Sequence, residues 1–279
     1  MNRRTRTRQN QAQRSALGRG KRGRLVLPVL VVAALVVSAF CLAACNALDD
    51  LPTVPPTPEP KTAVIVDQLG LTYPNPAFAQ AATAILEQAG YVVTYVPGEQ
   101  VTVDFYRTLA AGDYDLVILR IHSAIIAEVD TRTGQRTEVE YVGLFTGEPY
   151  DETKRFGEWA YYVGRAVYHE GAAPLFGIVP AFIEDKMLGE FDGTLIVMMG
   201  CHGMLSDVVG QAFLDRGASA FVGWDEAVSA SHTDAATQYL LEQLFIEGRA
   251  LDEAVARTRA EIGPDPAYGA ELQALVVKE

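Results

Sequence analysis

The sequence predicts an α/β fold in which helices flank a mostly parallel central sheet, and three observations predict it. Runs without alternation, Ala63 to Val66, Leu116 to Ile121 with Arg120 as its one charge, and Leu195 to Met199, have the length and branching of strands buried on both faces. Segments with helical spacing alternate with them, as in Ala77 to Ala89, where Phe78, Ala82, Ile85, Leu86 and Ala89 share one face and Gly90 is a stop. The links are short, and short strand-helix-strand units cross over right-handed and place their strands parallel.

Before these elements comes a leader. Residues 1 to 24 carry nine Lys or Arg and no acid, and Leu25 to Phe40 is an apolar run without a charge, the two halves of an export signal. It closes with Leu42-Ala43-Ala44-Cys45, which resembles a bacterial lipoprotein box, so cleavage after residue 44 and lipidation of Cys45 are expected. An uncleaved membrane anchor is the alternative, since Leu25 to Ala44 is long enough to span a bilayer. Gly18, Gly20 and Gly23 spell a dinucleotide-binding pattern, but no strand precedes them and they lie in the basic leader. Residues 45 to 61 are proline-rich and read as an extended tether, leaving 62 to 279 as the globular domain.

Of 23 basic side chains, nine leave with the leader, so 14 face 35 acidic ones and the formal charge beyond residue 44 is −21. Such a surface disfavours nucleic acid and favours cationic partners. The cysteines are more pointed. Cys41 leaves with the signal and Cys45 takes the lipid, which leaves Cys201 as an unpaired thiol in an exported protein.

After the first strand and helix, Tyr91 to Val96 is a second strand, Val103 to Ala111 a second helix and Leu116 to Ile121 a third strand. Ala124 to Gly193 reads as irregular. Within it, Ile126 to Asp130 and Thr137 to Leu144 flank a turn signal and predict a hairpin. Phe156 to His169, with Trp159, Tyr161, Tyr162 and Tyr168, reads as a helix. Asp207 to Arg216, Thr233 to Glu247 and Leu251 to Ile262 read as helices, with strands at Ala220 to Trp224 and Leu272 to Val277. His169 and Glu170 do not complete a zinc-binding pattern, and no metal or cofactor site is expected.

Two strand ends carry the chemistry. The third strand closes with His122, and the strand from Leu195 runs into Gly200-Cys201-His202-Gly203. Carboxyl ends of parallel strands are where α/β folds keep their sites.

This order of residues, with Met198-Met199-Gly200-Cys201-His202-Gly203, then Gly223-Trp224-Asp225, Asp234 and the link Glu247 to Ala254, resembles the clan of cysteine peptidases that includes caspases, gingipains, clostripain, separase and the CHAT domains. The resemblance covers roughly residues 63 to 262 and implies a caspase-like three-layer sandwich. It also implies an endopeptidase acting on peptides, which the leader and the lipid expected at Cys45 would anchor to the membrane outside the cytoplasm. Cys201 would be the nucleophile, His122 the general base and acid, and the backbone N–H groups of Ser123 and Cys201 the oxyanion donors. These families usually have Gly after the histidine, where this chain has Ser123. Trp224, Asp225 and Glu226 would line the substrate wall, with Asp225 selecting Arg or Lys before the cut.

Three other readings stay open. Cys201, Asp225 and His232 follow the chain order of an α/β-hydrolase, although Met199 replaces the first glycine of its elbow. The chain could also be a non-enzymatic binding module in which Cys201 is a small core hydrophobe, or a degenerate peptidase that keeps the fold alone.

Overall fold

The computed structural model describes residues 60–129, 132–158 and 161–277. The leader, Cys45, nearly all of the tether and Trp159 lie outside the described residues. Among those described, no helix is long and apolar enough to cross a membrane.

The chain runs β1 (Lys61–Asp67), α1 (Pro76–Gln88), β2 (Tyr91–Pro97), α2 (Val103–Thr108), β3 (Leu116–Arg120), β4 (Ser123–Val129), β5 (Arg136–Pro149), β6 (Val163–Ala166) and β7 (Leu175–Ile178). It continues through α3 (Pro180–Lys186), β8 (Leu195–Met198), α4 (Val208–Asp215), β9 (Ala220–Trp224), α5 (Ala230–Leu241), α6 (Leu251–Ile262) and β10 (Leu272–Val276). Six strands form the main sheet in the order β2-β1-β3-β8-β9-β10, all parallel except β10, which runs antiparallel to β9.

Both faces of this sheet are buried, and the alternation within each strand sorts its side chains between two layers. Val64, Val66, Val117, Leu119, Ile196 and Met198 pack toward Val103 and Tyr106 of α2, Phe182 of α3 and Phe213 of α4. Ile65, Leu116, Ile118, Val197 and Val222 pack the other way, on Phe78 and Leu86 of α1, Leu240 of α5 and Val255 of α6. That is a helix, sheet, helix sandwich. Helix α1 starts where Asn75 Oδ1 accepts the Phe78 N–H at 3.2 Å and Pro76 takes the first position, where its missing N–H has no bond to lose.

Three expectations need correction. The segment expected to be irregular apart from one hairpin holds that hairpin as β4 and β5, within a second, antiparallel sheet in the order β4-β5-β7-β6, together with α3. Phe156 to His169 is not a helix: turns lead into β6, which pairs with β7 from Val163↔Ile178 to Ala166↔Leu175. The strand is Val-Gly-Arg-Ala, where Gly164 is a poor helix former, and pairing with β7 outweighs an ambiguous helical spacing. The second helix stops at Thr108 and passes into a 3₁₀ turn, Ala110–Gly112, before Asp113 takes a left-handed φ of 53°.

Candidate active site

Strands β3 and β8 are neighbours in parallel register, ending at Leu119↔Met198. Continuing each strand by three residues brings His122 and Cys201 to one edge of the sheet. The two chains are close enough there to dictate Gly200, because a Cβ on it would lie 2.5 Å from Ser123 Oγ and 2.9 Å from Ile121 O. Ser123 Oγ donates to Cys201 O at 2.6 Å and ties the two strand ends together.

His122 is held at both backbone groups. Its N–H donates to Gln68 Oε1 at 2.8 Å, and its carbonyl accepts from Phe145 N–H at 3.0 Å. Gln68 is itself fully buried and fixed by donation to Thr146 O and Tyr168 Oη. The imidazole sits among Tyr168, Phe145 and Tyr73, with ring centroids 4.5, 5.9 and 6.0 Å away. Its Nε2 lies 2.7 Å from Thr72 Oγ1. The Thr72 hydroxyl is also 3.2 Å from Leu69 O, a contact in which it can only donate. With its proton on Leu69 O, Oγ1 accepts from His122 Nε2–H and Nδ1 keeps the lone pair. Burial, with the charge of Arg120 adding to it, lowers the imidazole pKa to about 4, so the ring is neutral at pH 7.

Cys201 is partly buried, and its sulfur is held by one residue of the loop after β9. Val228 N–H points at Sγ from 3.5 Å, and Sγ lies 3.7 Å from Val228 O. Burial pushes the thiol pKa up, against the Val228 N–H, which favours the thiolate. Among the described residues no hydrogen bond joins Cys201 to His122. Thiol and imidazole each rest uncharged on another partner. The loop is anchored by Asp265, which accepts from the N–H groups of Ser229, Ala267 and Tyr268 at 2.9 Å each. Burial works against the Asp265 charge, but those donors hold its carboxyl below the usual range.

The expected substrate wall divides. Trp224 is 1% exposed and its indole N–H donates to Thr233 Oγ1 at 2.9 Å, so it backs the wall from within. Asp225 turns to β10, where its oxygens accept from Glu271 N–H at 2.7 Å and Gln273 Nε2 at 2.8 Å. Glu226 stays exposed, and its carbonyl accepts from the N–H of His202, a residue with a left-handed φ of 58°. His232 has its Nε2 3.2 Å from Gly263 O and its ring 5.4 Å from that of Trp224.

Sequence reading missed the polar cluster beside this pair. Arg120, 1% exposed, donates from Nη1 to Asp67 at 2.7 Å, from Nε and Nη2 to Asp234 at 2.7 and 2.9 Å, and from Nη2 to Tyr73 O at 2.9 Å. Tyr95 Oη donates to Asp67 at 2.7 Å and Asn75 Nδ2 to Asp234 at 2.8 Å. The available signal was a lone Arg closing the apolar run Leu116 to Leu119, which calls for a buried counter-charge. Among the described residues no group of His, Cys, Asp and Glu is arranged to hold a metal ion. No protein-family model and no curated protein matches the chain.

Proposed function

We propose that this chain is a lipid-anchored, extracytoplasmic cysteine endopeptidase of the caspase, gingipain and separase-like clan, with Cys201 as nucleophile and His122 as general base and acid. The observation that carries this reading is the meeting of His122 and Cys201 at the carboxyl ends of adjacent parallel strands, joined by the Ser123 to Cys201 hydrogen bond. The main sheet, with helices on both faces, is compatible with a caspase-like sandwich. In the reaction the thiol proton passes to His122 Nδ1 and the sulfur bonds to the peptide carbonyl carbon. The C–N bond then breaks as the imidazolium gives that proton to the leaving amine, and water, activated by the same ring, releases the acid from the thioester.

Two backbone donors fit the oxyanion role. The Phe145 N–H to His122 O bond sets the alternation of the β4–β5 ladder so that Ser123 turns its N–H away from β5. The Cys201 N–H lies against its own sulfur. Since both Asp225 oxygens are spent on β10, preference for Arg or Lys falls to the exposed Glu226 and the overall negative charge, and Asp225 positions the wall. The lipid anchor at Cys45 rests on the leader sequence.

A second reading, a degenerate peptidase or non-enzymatic binding module, is favoured by the Val228 contacts of the thiol, since among the described residues no hydrogen bond joins Cys201 to His122. One experiment separates the two. With a fluorogenic peptide panel and an irreversible peptidyl electrophile, wild-type protein should cleave and become labelled at Cys201, while Cys201→Ala and His122→Ala should do neither and melt close to wild type. Equal cleavage in either variant, or none in wild type, overturns the peptidase assignment.

A further inference from the structure

After Cys201 the chain reverses along the end of β9. His202 N–H donates to Glu226 O at 2.9 Å and Met204 N–H to Trp224 O at 2.8 Å, the alternation of an antiparallel pair. His202 makes the turn with its left-handed φ of 58°. Few non-glycine residues adopt that conformation, and His, Asn and Asp are enriched among those that do. The turn sets the imidazole beside the side chain of Glu226, with Nδ1 3.7 Å from Oε2, too far for a hydrogen bond. Nδ1 is buried and has no hydrogen-bond partner among the described residues. Buried polar atoms are seldom left so in folded proteins.

The two side chains differ in access to water. Glu226 is 58% exposed and His202 18%, so the carboxylate can meet a partner from solvent while the ring stays at its back. Other ionisable groups around the turn are committed elsewhere. Both Asp225 oxygens accept from β10 and the residue before it, and the Cys201 thiol rests on Val228. Glu140 of β5 meets the loop through its carbonyl, which accepts from Ser206 Oγ. A carboxylate only accepts, so it gains nothing from a bare Nδ1 and a charge-assisted bond from the Nδ1–H of an imidazolium. Histidine is the side chain that changes charge in the physiological pH range. We infer that His202 is a specificity-determining residue, whose protonation decides whether Glu226 is free to pair with an Arg or Lys side chain of a bound peptide. Ring proton and basic side chain compete for one carboxylate, and each weakens the hold of the other by the same factor. That role rests on the peptidase reading, in which Glu226 meets the substrate.

Binding is measured apart from turnover in full-length Cys201→Ala protein. Fluorescein-labelled peptides of Ala, Val and Ser carry one central Arg or its uncharged isostere citrulline. Anisotropy gives the Kd from about pH 8 to about pH 5.5, a range that brackets histidine titration and in which His122 stays neutral. The Arg peptide should bind about threefold more weakly at the acid end, the scale of an exposed ion pair, and the citrulline peptide should hold level. His202→Asn, which keeps a residue tolerant of the left-handed turn, should bind the Arg peptide with the same Kd throughout. Glu226→Gln should bind both peptides alike at every pH. As a reading of the ring itself, adding the Arg peptide at about pH 6 should move the His202 ring NMR signals toward those of the neutral form, and citrulline should not. An equal pH dependence with and without His202→Asn, ring signals that ignore the Arg peptide, or no binding of either peptide would overturn the role of His202. A pH-dependent preference for Arg together with no cleavage by wild type would keep the His202 and Glu226 pair and remove only the peptidase reading.

Discussion

Two polar clusters share one edge of the main sheet, and they are built in opposite ways. Around Arg120, two carboxylates and a carbonyl close on a guanidinium with charge-assisted bonds, each near 2.7 to 2.9 Å. At His122 and Cys201, the ring and the thiol each rest on a single neutral partner, Thr72 at Nε2 and Val228 at the sulfur. The first arrangement is costly to break because every member is a charge buried from water. The second is cheap to break, since a neutral hydrogen bond contributes about 1 kcal/mol. The contrast teaches that the fixed cluster sets where β1, β3 and α5 sit, while the neighbouring pair keeps groups that a bound molecule could redirect.

The comparison can be broken most forcefully at its fixed side. Arg120→Met leaves Asp67 and Asp234 buried without a counter-charge and should cost about 3–5 kcal/mol in urea unfolding. A loss under 1 kcal/mol would mean that the cluster holds nothing in place.

Acid probes the other side. Folded His122 stays neutral down to about pH 4, whereas in the unfolded chain it takes up its proton near 6.5. The unfolded state therefore binds more protons between those values, and stability should fall as pH drops through that window, by up to about 3 kcal/mol. Comparing denaturation at pH 7 and pH 4 in wild type and His122→Gln isolates the effect, which the variant should lack.

Asp265→Ala removes the acceptor for Ser229, Ala267 and Tyr268 and should cost about 2 kcal/mol. It should also speed native labelling of Cys201 by iodoacetamide, because Val228 belongs to the loop that Asp265 anchors. An unchanged labelling rate would show that the sulfur is not held by this route. The smallest effect belongs to Thr72→Val, about 1 kcal/mol in stability. Its ring-nitrogen NMR shifts should nonetheless move, since the valine no longer fixes the His122 tautomer.

Much of this was legible in the chain itself. Unbroken apolar runs such as Leu116 to Leu119 declare strands buried on both faces, and their order with the intervening helices implies parallel pairing. Reading where those runs stop was enough to bring His122 and Cys201 to one edge. The β4–β5 hairpin was legible from its turn signal, but the rest of the antiparallel sheet was hidden because β6 and β7 are four residues each, too short for a period to emerge. Asp225 looked like a free selector because its partners, Glu271 and Gln273, lie at and just before β10, far along the sequence. Arg120 likewise finds its counter-charges at Asp67 and Asp234, and no local pattern reports such distant pairs.

The insertion of β4 to β7 between β3 and β8 has a consequence for how the protein folds. Pairing β3 with β8 closes a loop containing residues 121–194, whereas β4 meets β5 across a short turn. The entropic cost of closure grows with loop length, and long-range pairings are slow to form. The antiparallel hairpin should therefore gain amide protection early in refolding and Ile196 to Met198 late, in a pulsed hydrogen-exchange experiment. On that course His122 and Cys201 come together only near the end, so a chain caught part-way carries the two groups far apart.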